Sequence, residues 1–485
     1  VLHRLGLLEN VTVLSTVSGG SITGAGYALA AARGRSFEEF FEELHDVLAR
    51  NDLPGRALAA LRSGAPATPS GCRKLIVAAA EAYDAAWLDG ASFGELLEAR
   101  THLQEVILNA TEFRHGLSFR FRASASSRVR IGNQRTSLPR DVAARVRLAD
   151  IVAASSCFPG GFEPLVLPDD LRWLDTPAGS APDGLAGLEP VALMDGGITD
   201  NQGVDSMRLA DQTRGVELGL IIISDTDRAT ERLHRPLAAP PGPGARLWWV
   251  AVGAALVTTG LVASGLALAA DALRAATSDG LQLPTDLLLR WFPAAVCLGL
   301  AGLALWSAGR GILSLRRHLP ASLLGVVLAV GGGLGLGELR HLVRVRARSL
   351  AAMVSHVFTR RIRRQVFEAA YEDERYRDRV VANLLYRLPR DRDESPRPSA
   401  ALLEVAERAG RMPTTLWFRD ADELPTLIAC GQATLCHALL AHIKRIDEPD
   451  EKVEAVAAAT RDLWERLNDD PFALVRERVA TDPAP

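Results

Sequence analysis

Val11-Thr-Val-Leu-Ser-Thr-Val-Ser18-Gly19-Gly20-Ser21 decides how this chain is read. The β-branched run from Val11 to Val17 predicts a buried strand. The small residues that follow, Ile22-Thr-Gly-Ala-Gly-Tyr-Ala-Leu-Ala-Ala-Ala32, predict a helix. A strand, a sharp turn with serine at its apex and a helix make the build of a nucleophile elbow. Such a turn strains the serine backbone and needs tiny neighbours, and Gly20 is expected to let the helix approach the strand. The first position of the usual Gly-x-Ser-x-Gly is Thr16 here. Spacing alone leaves two readings open, a nucleophile or an ordinary strand-to-helix turn.

A serine hydroxyl is a weak nucleophile and needs a base within hydrogen-bond reach. The chain holds ten histidines, and none follows an apolar strand in a Gly- or Asp-containing turn. The better candidate is Asp195. It follows the apolar Val191-Ala-Leu-Met194 and precedes Gly196-Gly197, a pair that lets another backbone come close. A carboxylate there could take the proton of Ser18 directly. Read alone, Asp195-Gly196 is equally well a turn former.

The remaining pattern is mixed. Helical periodicity runs over 36–61, broken at Asp52-Leu-Pro-Gly55, and over 73–87, 92–100 and 148–156. Residues 104–111, 117–122 and 218–224 read as strands, the second alternating Phe119 and Phe121 with polar residues. Residues 1–8 read as a helix, 340–386 as a basic amphipathic helical region, 388–400 as a charged loop, and 401–408, 424–445 and 449–477 as helices. Strands alternating with helices imply an α/β sheet covered on both faces. The 485 residues suffice for two or three domains. A net charge of −3 excludes a general nucleic-acid binder. Five scattered cysteines without a CxxC pair argue against a zinc site or a disulfide framework. Asp225 and Asp227 read as loop carboxylates, so no metal and no cofactor are expected. Abundant arginine beside three lysines points to a GC-rich bacterial genome.

Taken together the motifs resemble the patatin-like phospholipase family. Thr16-Val-Ser18-Gly-Gly-Ser21 is similar to its nucleophile motif. Met194-Asp195-Gly-Gly-Ile-Thr-Asp200-Asn201-Gln-Gly203 is similar to its aspartate motif. Between them Asn109-Ala-Thr111, with Gly116 and Phe121, resembles the central strand pair, and Ala153-Ala-Ser-Ser-Cys-Phe158-Pro159-Gly160 the segment before the aspartate. Tyr83-Asp84 near Gly90-Ala-Ser-Phe93 also fits. Weaker similarity returns at 362–366, 413–416 and 427–439. The resemblance implies a three-layer α/β/α hydrolase core and a Ser18–Asp195 dyad without histidine, with Gly19 and Gly20 as elbow backbone and Thr16, Gly196 and Gly197 as supporting positions. It implies hydrolysis of phospholipid or another lipid ester through an acyl-enzyme. It further implies oxyanion donors mainly from a Gly-rich loop upstream of the elbow. No such loop stands before Val11 in these residues, so the chain reads as N-terminally truncated, and impaired unless that loop is restored. Two other readings stand beside this one. One is a Ser–Asp–His α/β-hydrolase, and the other a degenerate domain that binds a lipid or a partner.

From 232 to 245 a Pro/Gly linker follows, and then the composition turns apolar. Leu247–Ala270 carries no charge over 24 residues and starts with Trp248-Trp249, and Trp291–Gly309 carries none over 19, with tryptophan near both ends. Ala321–Gly337 is a third run, of 17 residues with six glycines. Arginines gather before the first run, between the second and third and after the third, and only 271–290 is Arg-poor and carries Asp271, Asp279 and Asp286. The positive-inside rule then leaves only that loop outside the cytoplasm. Two spans satisfy it, with 321–337 re-entrant or interfacial. The expected organisation is a catalytic core over 1–235, a membrane insert over 246–338 and a helical part over 339–477 that completes the core. The expected location is a bacterial plasma membrane, multi-pass, with the catalytic part cytoplasmic.

Overall fold

The computed structural model describes residues 1–50, 52–63, 73–126, 128–174, 176, 184–185, 188–214, 218–226, 246–278, 284–318, 335–412 and 418–480. The linker at 232–245, most of the Gly-rich run at 321–337 and the motif at 413–416 lie outside the described residues. The chain divides into two compact units, Val1–Arg232 with Ala352–Pro485, and Leu233–Ala351.

The first unit is built on a mixed sheet. Its strands are β1 (Val13–Val17), β2 (Glu105–Glu112), β3 (Leu117–Ser124), β4 (Ile131–Gly132), β5 (Ser137–Leu138), β6 (Leu165–Leu167) and β7 (Val191–Asp195). The order runs β5-β4-β3-β2-β7-β6, and β1 also pairs with β2. Only β1 and β2 run parallel here; the remaining neighbours are antiparallel. The expected alternation of strands and helices therefore does not yield a parallel sheet. The hairpin at Glu112–Leu117 turns β3 back on β2, with Gly116 at φ +66°.

All eight residues of β2 are buried, because helices cover both faces. Val106, Leu108 and Ala110 join Phe119 and Phe121 of β3 in the main core, under α1 (Gly19–Ala32), α4 (Leu75–Tyr83), α5 (Phe93–Glu98) and α7 (Leu148–Ser155). Ile107 and Val13 point the other way, onto Ala210 of α8 (Val204–Arg214). The period-2 alternation thus separates the layers of an α/β fold. Arg120 and Arg122, alternating with Phe119 and Phe121, face α8. Arg122 Nε donates to Glu105 Oε1 at 2.6 Å, and both side chains are buried.

Other sequence expectations shift. Residues 1–8 form turns and not a helix, since Gly6 at φ +67° stops any helix after one turn. Val380–Leu384, expected to be helical, forms β9 and pairs in parallel with β8 (Ile221–Asp225) as a separate two-stranded sheet. The expected helix at 449–477 is two, Glu451–Asp469 and Ala473–Ala480, interrupted at Pro471. The expected charged loop opens with a short helix, Arg387–Arg390. The break at Asp52 stands between α2 (Phe37–Arg50) and α3 (Leu53–Ser63).

The second unit contains α9 (Leu247–Ser278) and α10 (Pro284–His318). These two pack on one another, and a Cβ on Gly265 would sit 2.7 Å from Leu298 Cγ, so the close approach needs glycine there. Among the described residues three helices are long and apolar enough to cross a membrane: Ala251–Ala275, Trp291–Arg310 and Glu423–Ile443. The third lies in the first unit, where Cys430, Ala433 and Cys436 pack against Leu385, Leu402 and Trp464, so protein covers much of its apolar surface.

Candidate active site

Ser18 and Asp195 meet because β1 and β7 share one edge of β2. β1 runs along its first half and ends with Val17 opposite Asn109; β7 runs the opposite way along its second half and ends with Asp195 opposite Ala110. The C-terminal ends of the two strands therefore converge at adjacent positions of β2. Ser18 Oγ donates to Asp195 Oδ2 at 2.6 Å. Ser18 stands at φ 53°, ψ −129°, a conformation rarely held by a residue with a side chain. Such a backbone costs about 1–3 kcal/mol and persists only where its surroundings enforce it.

Those surroundings are a buried hydroxyl network. Ser18 N–H donates to Ser155 Oγ at 3.2 Å, and Ser155 Oγ donates to Asn109 O at 2.5 Å. Ser21 Oγ lies 2.7 Å from Ser155 Oγ and 3.0 Å from Thr16 Oγ1. Asn109 Nδ2 donates to Ser15 Oγ and to Thr16 O, and Ser206 Oγ donates to Asn109 Oδ1 at 2.6 Å. Each polar group is satisfied by another, so the network fixes the turn without leaving an orphan inside it.

The glycines divide by role. A Cβ on Gly196 would lie 2.4 Å from Asn109 O, and one on Gly197 would lie 2.7 Å from Asn201 Nδ2. Gly196 excludes a side chain, because its obstacle is backbone, while at Gly197 the Asn201 side chain would have to move aside. Gly203, at φ +70°, seats its loop on β1, where Ser15 Oγ donates to its carbonyl. Gly19 and Gly20 face open space, and a Cβ on either meets nothing within 4 Å. This corrects the expectation for Gly20. The glycine that lets the helix approach the strand is Gly24, whose Cβ would lie 2.2 Å from Thr16 Cγ2. Thr16, in place of the usual glycine, occupies that space with its methyl group. Gly24→Ala is therefore expected to cost about 1–3 kcal/mol, and Thr16→Ser, which keeps the hydroxyl and removes the methyl, to recover most of it. Thermal unfolding of the two single variants and the double variant measures that coupling.

Burial pushes the Asp195 carboxyl up to about 6, against the opposing hydrogen bonds from Ser18 and from Gly197 N–H. The carboxylate is 3% exposed, and its own carbonyl accepts from Thr111 Oγ1 at 2.8 Å. A carboxylate that is ionised at neutral pH yet titrates within reach of it, hydrogen-bonded to a serine, can take and return a proton. The hydrogen bonds of Ser18 and Asp195 among the described residues include none from histidine. Burial raises the Cys157 thiol to about 12, so it is held protonated and inert beside the site. Among the described residues no group of three or more His, Cys, Asp and Glu side chains gathers as a metal set. Asp225 is taken by Gln202 Nε2 at 2.6 Å and by Arg363 at 3.0 Å. Arg363 also donates to Asn201, so the helix Thr359–Glu372 braces the loop that follows Asp195.

Residues 1–208 match the family model described as patatin-like phospholipase. The match gives residues 1–208 a patatin-like phospholipase domain with its α/β fold, and supports, in general terms, a lipid acyl hydrolase. No curated protein and no solved structure matches the chain. The match ends within α8, the helix whose Ser206 holds Asn109. Asn109 and Ser155 were visible in the sequence only as members of motifs, and Ser206 belonged to none. Their work in holding the elbow depends on pairings between distant segments.

Proposed function

We propose that the protein is a membrane-anchored serine acyl hydrolase that cleaves glycerophospholipids or related lipid esters through a Ser18–Asp195 dyad and an acyl-enzyme. The observation that carries the reading is the 2.6 Å hydrogen bond from Ser18 Oγ, on a strained turn, to a buried carboxylate poised to accept its proton. As Oγ attacks the ester carbonyl carbon, its proton passes to Asp195 Oδ2. The tetrahedral oxyanion collapses, the bond to the glycerol oxygen breaks, and that oxygen leaves as an alcohol with the proton from Asp195. Asp195 then takes a proton from water, the hydroxide attacks the acyl carbon, and the fatty acid departs as Ser18 Oγ regains its proton. Gly19 and Gly20 open α1, so helix geometry gives their N–H groups no acceptor, and both face open space beside Ser18. They are the candidate oxyanion donors within this chain. Release of free fatty acid from phospholipid vesicles is the expected activity. Ser18→Ala is expected to remove it by about 10⁴-fold or more, while leaving far-UV circular dichroism unchanged. Fatty-acid release that persists in Ser18→Ala overturns the reading.

The anchor we assign to α9 and α10. Leu256, Val257, Phe292, Leu305 and Trp306 stand well exposed on them, an apolar surface that lipid would cover. The arginine distribution supports a hairpin whose two ends both lie in the cytoplasm, with residues 352–485 completing the catalytic unit. A reporter cysteine near residue 345 is expected to resist membrane-impermeant maleimide in intact cells. Labelling from outside would require a further span between α10 and that point.

A further inference from the structure

A second polar site lies on the α8 side of the sheet. Between β3, the following hairpin β4–β5 and α8 is a concavity of about 930 Å³, lined by Arg120, Arg122, Arg128, Arg130, Arg208 and Asn133 among others. Two of these arginines are already neutralised. Arg122 pairs with Glu105 at 2.6 Å, and Arg208 with Asp373 at 2.9 Å and with Asp205, which also lines the concavity, at 3.8 Å. Among the described residues Arg120, Arg128 and Arg130 have no carboxylate at ion-pair distance. Arg120 spends its Nε on Ser206 Oγ at 2.6 Å. Burial, and then Arg122, pushes its guanidinium below the ordinary value, with Asp200 and Asp205 opposing. Arg130 gives one N–H to Asn133 O at 3.4 Å.

The second observation is Asn133. It is 7% exposed, and its Oδ1 accepts from the N–H groups of Arg135 and Thr136, which fixes the turn. Its Nδ2 is buried without any acceptor. A buried amide donor left unpaired costs about 1–3 kcal/mol, and an anion oxygen in the concavity would satisfy it. Arg120, Arg128 and Arg130, none of them in an ion pair among the described residues, and an unpaired amide donor give the concavity an excess of donors over the single carboxylate that lines it, Asp205. That set suits a compact oxyanion of high charge, and guanidinium forks match the oxygens of phosphate in pairs.

We propose that this concavity is a phosphate-binding site, separate from the Ser18–Asp195 pair. The phosphate has two chemical sources, a free phosphate ion or the headgroup of an anionic lipid. The same side chains read both, and size separates them.

The test is calorimetric titration of the full chain in detergent, carrying Ser18→Ala so that lipid is not consumed. Two probes are used, inorganic phosphate and a short-chain phosphatidic acid below its micellar concentration. Inorganic phosphate is expected to bind one to one. Arg128→Ala with Arg130→Ala, both exposed positions, is expected to raise its Kd at least tenfold. Asn133→Asp, which keeps the turn acceptor and replaces the unpaired donor with a carboxylate, is expected to do the same. Phosphatidic acid that binds and is weakened by the same variants assigns the site to a lipid headgroup. Phosphatidic acid that does not respond to them assigns it to the free ion. Absence of phosphate binding in the parent chain, or an unchanged Kd in both variants, overturns the proposal.

Discussion

Asp195→Asn is expected to lower kcat/KM for ester hydrolysis by about 10⁴-fold while making the folded protein more stable at pH 8. Asparagine keeps one acceptor oxygen for Gly197 N–H, but an amide nitrogen replaces Oδ2, which can neither accept from Ser18 Oγ nor take its proton. The stability gain follows from burial. The Asp195 carboxyl lies at about 6 in the folded chain, raised from 3.8 chiefly by desolvation. A raised carboxyl favours the folded state below the unfolded value, and that advantage is lost as pH rises through about 6. Above that pH the ionised group costs folding up to about 3 kcal/mol. Replacing it therefore raises Tm at pH 8, and the gain shrinks to nothing as pH falls below the ordinary carboxylate range. The parent protein has the matching kinetic signature, because the base must be ionised to act. Its kcat/KM is expected to rise with pH through a midpoint near 6. Loss of activity accompanied by a lower Tm at pH 8 would instead give Asp195 a structural role.

Gly196→Ala is expected to destabilise the catalytic unit by about 3 kcal/mol or more and to abolish hydrolysis with it. The added methyl would sit 2.4 Å from Asn109 O, a backbone atom of the central strand that cannot rotate away. Relief requires β7 to draw back from β2 where Asp195 pairs with Ala110. That movement opens the Ser18–Asp195 hydrogen bond and disturbs the carbonyl that Ser155 Oγ holds. Gly20→Ala provides the contrast. Its methyl meets nothing within 4 Å, so its unfolding free energy is expected to stay within about 0.5 kcal/mol of the parent's. Chemical denaturation of the three proteins measures both effects. Equal stability of Gly196→Ala and the parent would mean that the β2–β7 junction yields easily.

The two residues at the centre of the site were legible because unusual backbone demands leave marks in sequence. A serine among tiny residues after a β-branched strand, and an aspartate before two glycines, are such marks. What the sequence did not carry was the edge of β2 on which β1 and β7 converge, since that depends on pairing between residues far apart. The hydroxyls of Ser155, Ser21 and Ser206 are ordinary residue types whose partners become evident only in the fold. Thr16 and Gly24 misled for a related reason. The pattern looks for glycine two residues before the serine, whereas here the space it would leave is supplied by a glycine one helical turn into α1. β9 was hidden because Val380–Leu384 is short, apolar and flanked by helical periodicity, which cannot by itself separate strand from helix.

The central claim is that Ser18 is the nucleophile and Asp195 its base. It is tested most directly by labelling the intact chain with a fluorophosphonate and mapping the adduct by mass spectrometry. The account predicts one adduct, on Ser18, whose rate of formation rises with pH through a midpoint near 6 and falls sharply in Asp195→Asn. An adduct on another residue, or labelling of Ser18 at an unchanged rate in Asp195→Asn, would contradict it.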